Sequence, residues 1–115
     1  MLNVELKELV LNALDELKGQ DITCMDVSEQ TQITDFMVVV SGTSNRHVRA
    51  LVDKVIEDAS ARGVKPLGVE GEEQGEWVLI DLTDVVVHVM LPKVRDFYDL
   101  ERLWTITPGT RKSTL

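Results

Sequence analysis

The sequence predicts an α/β (α+β) fold in which a single mixed five-stranded sheet carries helices largely on one face. Two stripes of apolar residues repeat every three or four positions, which is the period of an amphipathic helix. Short runs rich in valine and isoleucine lie between the two stripes and after the second one, as expected for strands. The resulting order is α-β-β-α-β-β-β-α, without an internal repeat or a dividing linker. We therefore expect one domain over residues 1–104.

The first third of the chain predicts a helix followed by two strands. The first apolar stripe favours a helix over residues 3–18, with Asn3 as its N-cap and Gly19 just beyond its end. Strands are expected over residues 22–27 and 35–41. The second of these is apolar at nearly every position, which is typical of a strand covered on both faces.

The remaining elements outside the hairpin are predicted from caps and breakers. Thr43 or Ser44 can cap the second helix, and Gly63 ends it. A third strand is expected over residues 64–70. A proline at the end of the last strand fits the start of a third helix over about residues 93–104, and residues 105–115 are expected to form a flexible C-terminal tail.

Residues 75–90 are the most informative stretch and predict a β-hairpin whose turn is Thr83-Asp84. Side chains alternate across a strand, so each face of the hairpin can be considered separately. One face is purely aliphatic and predicts a core surface. The other face mixes an aromatic ring, a thioether, an imidazole and a carboxylate, as a recognition surface does. A two-residue turn gives the cross-strand pairs Trp77 with Met90, Leu79 with His88, Asp81 with Val86, and Leu82 with Val85.

Composition limits the classes of function. The 115 residues include 12 basic and 20 acidic side chains, for a formal net charge of −8. That balance argues against non-specific nucleic-acid binding and favours a basic partner, unless the acidity serves only solubility. The N-terminus lacks the pattern of a signal peptide, and no apolar run approaches the ~20 residues that span a bilayer. We therefore expect a cytoplasmic protein.

The main alternative hypothesis that the residues suggest is that the protein is an enzyme. Asp81 and Asp84 could hold a divalent cation, and the Gly42-Thr43-Ser44 turn could bind an anion, as in a nucleotidyltransferase-like enzyme. Those sites use two acids on alternate residues of one strand, but Thr83 occupies that alternate position here. The pattern therefore favours a turn residue and a polar contact, with no metal and no cofactor.

Three side chains of the mixed hairpin face leave two interpretations open. His88 is either a half-buried histidine with satisfied hydrogen bonds or a contact to a partner. Trp77 and Met90 either pack under the last helix or contact a separate chain.

Five segments together resemble the ribosomal silencing factor family, also called RsfS, Iojap or YbeB. The similarity covers about Leu6 to Trp104. It implies a fold related to nucleotidyltransferases without their activity, and a protein that often forms homodimers. The segments are 35–46, 69–71, 77–81, 84–89 and 97–104.

The resemblance implies a translational repressor that is not an enzyme. Such a protein binds ribosomal protein L fourteen on the large ribosomal subunit and sterically blocks its association with the small subunit, lowering translation in starvation or stationary phase. A large-subunit assembly factor would use the same surface and stays an alternative. Thr83 departs from the family, because many members have glycine in this turn. By resemblance, the partner-binding residues are Glu70, Trp77, Leu79, Asp81, His88, Met90, Tyr98 and Asp99.

Overall fold

The computed structural model describes residues 2–98 and has the predicted order of helices and strands. The predictions of helix over residues 99–104 and of a flexible tail over residues 105–115 lie outside the described residues. The elements are α1 (Asn3–Glu16), β1 (Gln20–Asp26), β2 (Phe36–Ser41), α2 (Asn45–Ala61), β3 (Gly68–Glu70), β4 (Trp77–Asp81), β5 (Val85–Met90) and α3 (Pro92–Tyr98).

The strands form the predicted mixed five-stranded sheet, in the order β1-β2-β5-β4-β3. The β2 and β5 strands are parallel, whereas the three other pairs are antiparallel. The central strand is therefore β5, with β2 and β4 beside it and β1 and β3 at the edges. Within residues 2–98, no helix is long and apolar enough to cross a membrane.

The core lies between one face of the sheet and the pair α1 and α2, as the aliphatic face of the hairpin predicts. Its side chains are removed from water almost completely, and each fully buried aliphatic residue contributes roughly 1.5–3 kcal/mol relative to exposure. The residues that the strands and the hairpin turn contribute to this core are Val38, Val40, Val78, Ile80, Leu82, Val85, Val87 and Val89.

The start of α1 differs from the prediction. The N-cap is Leu2, and Asn3 is the first helical residue. The Asn3 amide donates instead to the Asp35 carboxylate at 2.7 Å, and the Glu5 carboxylate accepts the Leu2 N–H at 3.0 Å. The Asn3 Oδ1 still accepts a first-turn N–H, that of Val4, at 2.8 Å, so the side chain makes a local and a tertiary contact at once.

The second helix begins and ends as predicted, but β3 is shorter. The Ser44 hydroxyl accepts the His47 backbone N–H at 3.1 Å, and Gly63 has a φ of 82° beyond the helix end. The β3 strand starts at Gly68 rather than at residue 64. Pro66 has no N–H to donate to a ladder, which explains the late start.

The hairpin has the predicted register. Trp77 pairs with Met90, and the Leu82 N–H donates to the Val85 carbonyl at 2.9 Å. Thr83 has a φ of 75°, in the left-handed region that a β-branched residue rarely adopts. The Asp81 carboxylate accepts the Thr83 N–H at 2.8 Å and helps to hold this conformation.

Replacing Thr83 with glycine is expected to raise the free energy of unfolding by about 0.5–1 kcal/mol. The left-handed conformation destabilises an L-residue by about 1–2 kcal/mol, and glycine removes that cost. Glycine also loses more chain entropy on folding, which cancels only part of the gain. Urea unfolding measures the change. Gly63→Ala, at a φ of 82° with no atom near the added Cβ, is the matched reverse change and should destabilise by a similar amount. A Thr83→Gly variant less stable than the parent would contradict the interpretation that the Thr83 backbone is strained.

Candidate functional site

The sheet face opposite α1 and α2 is called the outer face. Cross-strand pairing arranges its side chains in rows that run across the strands, because directly opposite residues point to the same side. One row is Glu70, Leu79, His88, Val39 and Thr23; the second is Trp77, Met90 and Ser41; the third is Gly68, Asp81, Val86, Met37 and Met25.

The α3 helix covers the β1 and β2 side of the outer face. The buried Arg95 guanidinium donates from Nη1 to the Ser41 hydroxyl and from Nη2 to the Thr23 hydroxyl, each at 3.0 Å. Hydrogen bonds from a charged donor are stronger than neutral ones, so these contacts fix the helix on the sheet. The β3 and β4 side remains outside the area that these contacts cover.

Met90 does not lie on an exposed surface. Its side chain is fully buried in a small cluster with Val27, Met37 and Val39, with Trp77 and Val94 packed against it. Of the two interpretations open for this residue, packing is the one the structure supports. Met90 has no accessible atom in this structure, and its contact with a partner stays a prediction.

His88 is buried beneath Trp77. The Trp77 indole Nε1–H donates to His88 Nδ1 at 3.0 Å, and the two rings lie 6.0 Å apart at an angle of 44°. Only 5% of His88 is exposed. Because Nδ1 accepts this bond, the neutral imidazole carries its proton on Nε2. Burial lowers the pKa of His88 from 6.5 to about 4. The side chain is therefore a buried histidine whose Nδ1 is hydrogen-bonded, rather than an exposed contact.

Acidification is expected to destabilise the protein through His88. Below about pH 6.5 the unfolded chain takes up a proton at this residue, whereas the folded protein does so only near pH 4. Stability is thus complete above the first value and falls as the pH drops towards the second. Between about pH 7.5 and about pH 5 the residue should account for about 2 kcal/mol. Urea unfolding at both pH values would measure it, with His88→Leu as the non-titrating control. Equal pH dependence in the two proteins would contradict the assignment.

The part of the outer face that lies outside the α3 contacts of residues 2–98 is called the acid-rimmed patch and consists of Glu70, Trp77, Leu79, Asp81 and Val86. Its three apolar residues are half-buried, Asp81 is half-buried and Glu70 is exposed. Among residues 2–98, neither carboxylate forms a salt bridge. A half-exposed apolar surface beside two carboxylates can accommodate an apolar partner surface that carries basic side chains.

The structure brings four of the eight predicted partner-binding residues into this patch: Glu70, Trp77, Leu79 and Asp81. His88 and Met90 lie beneath it. Tyr98 is the last residue of α3, but its side chain and the whole of Asp99 lie outside the described residues.

Two features of the patch were missed from the sequence. Val86 was placed on the mixed face but was not chosen as a site residue. Gly68 lies opposite Asp81 at the edge of the sheet, and a Cβ there would meet nothing within 4 Å. A glycine inside a short strand is itself a signal of close approach by another chain or ligand.

The loop from β3 to β4 is held by the first turns of α2. The Asn45 amide donates to the carbonyls of Gln74 and Gly75 at 2.9 and 3.1 Å, and Arg49 Nη2 donates to the Glu73 carbonyl at 2.6 Å. These bonds use backbone oxygens and leave the loop carboxylates at the surface. They fix the chain that leads into Trp77.

The residues of the enzymatic alternative do not meet. The Asp84 carbonyl accepts the Phe36 N–H at the start of β2, whereas Gly42 follows the end of that six-residue strand. At about 3.3 Å per residue the two ends lie roughly 15–20 Å apart. The Thr43 N–H already donates to His47 Nδ1 at 2.9 Å. In the described part of the chain, no three metal-ligating side chains come together.

Comparison with known proteins shows the same family that the sequence resembles. The family model described as "Ribosomal silencing factor during starvation" matches residues 3–114. A protein from Chromobacterium violaceum named ribosomal silencing factor RsfS is 50% identical over 100 residues, which cover 87% of this chain and 82% of that protein. The relative of that name from Haemophilus influenzae is 39% identical over 86% of this chain and 97% of its own.

One relative is a mammalian protein with a different name. The mouse protein called mitochondrial assembly of ribosomal large subunit protein 1 is 32% identical over 86% of this chain and 45% of its own length. Among solved structures, a crystal structure of a Chromobacterium violaceum protein matches with a TM-score of 0.90 and 48% identity, covering 93% of this chain and 89% of that one. The fold is therefore shared with proteins of experimentally known structure.

Proposed function

The chain belongs to the ribosomal silencing factor family, and on that premise we propose that it binds the large ribosomal subunit and prevents the small subunit from joining it. The contact is to ribosomal protein L fourteen, and translation falls under starvation or in stationary phase as a result. The role is not catalytic, and it is exercised in the cytoplasm. The homodimer implied by the resemblance is part of the proposal and is tested by light scattering.

The acid-rimmed patch is the observation that carries the proposal. It combines a half-exposed tryptophan with aliphatic side chains and two carboxylates that no described cation neutralises. Aromatic anchors dominate the binding energy of many interfaces, and a complementary charge steers the encounter. Ribosomal proteins are commonly basic, so an acidic chain with a net charge of −8 suits such a partner.

Binding is tested directly with purified components. The protein should co-sediment with isolated large subunits and not with small subunits, and it should retain purified ribosomal protein L fourteen in a pull-down. Binding to large subunits without retention of that protein would move the contact to another component of the subunit. Failure of both assays would remove the proposal.

The name of the mouse relative supports a second candidate, a role in assembly of the large subunit. Both roles use binding to the large subunit, so affinity does not separate them. A joining assay with mature subunits separates the two roles. A silencing factor blocks the joining of the subunits, whereas a factor confined to assembly leaves it unchanged.

A further inference from the structure

We propose that His88 is a positioning residue for the acid-rimmed patch: its imidazole holds the Trp77 indole over β5, and the indole, not the imidazole, meets the partner. The inference rests on the proposed function, because the patch is the partner-binding surface in both. It replaces a direct contact of His88 with an action through Trp77.

Strand pairing explains how the two side chains meet. Trp77 is directly opposite Met90, while His88 is directly opposite Leu79, so Trp77 and His88 are diagonal neighbours. Diagonal side chains on a sheet lie within reach of aromatic rings. The 3.0 Å bond between Nε1 and Nδ1 requires the indole to lean along the sheet towards β5. Without an acceptor at that position, the indole loses the hydrogen bond that favours this orientation over other staggered rotamers.

The environment of His88 argues against a direct role. Only 5% of the residue is accessible, and Nδ1 already accepts the indole proton. Leu79 on one side and Val39 on the other are its neighbours in the row across the sheet. A partner group would have to displace Trp77 to reach Nδ1, whereas the indole itself is only half-buried.

A double-mutant cycle separates the two roles. Trp77→Phe keeps an aromatic ring but removes the N–H donor, and His88→Leu removes the acceptor. Affinity for ribosomal protein L fourteen is measured for the parent, each single variant and the double variant. If His88 acts through the indole, His88→Leu should weaken binding about 3- to 10-fold in the parent and less than about 2-fold in the Trp77→Phe protein. An equal loss in both backgrounds would mean a direct contact and would overturn the inference.

Two further measurements keep the test independent of simple destabilisation. His88→Asn places a carbonyl oxygen near the position of Nδ1 and should restore affinity to within about 2-fold of the parent. The indole N–H proton resonance of Trp77, recorded in a Trp104→Phe background, should move upfield in His88→Leu and return in His88→Asn. A resonance unchanged by His88→Leu would equally overturn the inference.

The same design distinguishes failure of the inference from failure of the proposed function. If the parent does not bind ribosomal protein L fourteen, the proposed function fails, and the resonance alone decides whether His88 holds the indole. If the parent binds and the cycle is additive, only the positioning role is lost. Should His88→Leu not fold, His88→Phe takes its place as the variant without an acceptor.

Discussion

Replacing Gly71 with alanine is expected to lower the free energy of unfolding by about 3–4 kcal/mol and to weaken partner binding. An added Cβ would clash with the carbonyl oxygen of Trp77, and Gly71 has a φ of 89°. The left-handed conformation accounts for about 1–2 kcal/mol of this loss, and the backbone shift needed to relieve the overpacked contact costs about 1–3 kcal/mol more. Because the clash is with backbone, the start of β4 must shift, and the Trp77 side chain shifts with it.

Two other glycines separate these contributions. Gly63→Ala has the positive φ without a clash and should cost only about 1 kcal/mol, whereas Gly68→Ala has neither and should leave stability nearly unchanged. Thermal and urea unfolding of the three variants, measured together, give the comparison. A Gly71→Ala protein no less stable than Gly63→Ala would show that the loop relaxes away from Trp77 at no cost.

Replacing Gly68 with phenylalanine is expected to weaken binding to the large subunit about 100-fold, or about 2–3 kcal/mol, without loss of stability. Gly68 shares a row with Asp81 and Val86, so the new ring would lie on the acid-rimmed patch. The space at its Cβ is empty, and glycine is a poor strand residue, so folding should be unaffected or improved.

Ala61→Phe is the matched control for that change. Ala61 is exposed at the end of α2, on the opposite side of the sheet. The same increase in apolar surface there should leave binding unchanged. Titration of large subunits with labelled protein measures both affinities. Equal losses for the two variants would indicate a non-specific effect, and a Gly68→Phe protein with parental affinity would exclude the patch as the binding surface.

The architecture was predictable because its main signals are local and agree with one another. Two apolar stripes with caps at Ser44 and Gly63 define the helices, and alternation on either side of Thr83 and Asp84 fixes the register of the hairpin. The start of α1 was missed by one residue, because Leu2 is the N-cap and Asn3 lies in the first turn. There the Asn3 Oδ1 accepts the Val4 N–H, and its Nδ2 reaches Asp35, a partner 32 residues away that local sequence does not indicate.

The sequence predicts which side chains share the outer face, but not which of them are exposed and which are buried. Alternation places Trp77, Leu79 and Asp81 on one side of the strand, yet it does not show which neighbours are covered. Met90 and His88 share that side and are buried, because Val94 of α3 and the Trp77 indole pack over them. The burial of a side chain within a sheet face depends on packing between elements, and strand periodicity carries no information about that packing.

The most direct measurement is a subunit-joining assay with mature ribosomal subunits. Purified large and small subunits are mixed with increasing amounts of the protein, and the fraction of joined ribosomes is read on a sucrose gradient. The account predicts that joining falls as the large subunits become occupied, and that Gly68→Phe relieves the block while Ala61→Phe does not. Undiminished joining at concentrations where the protein occupies the large subunits would contradict it.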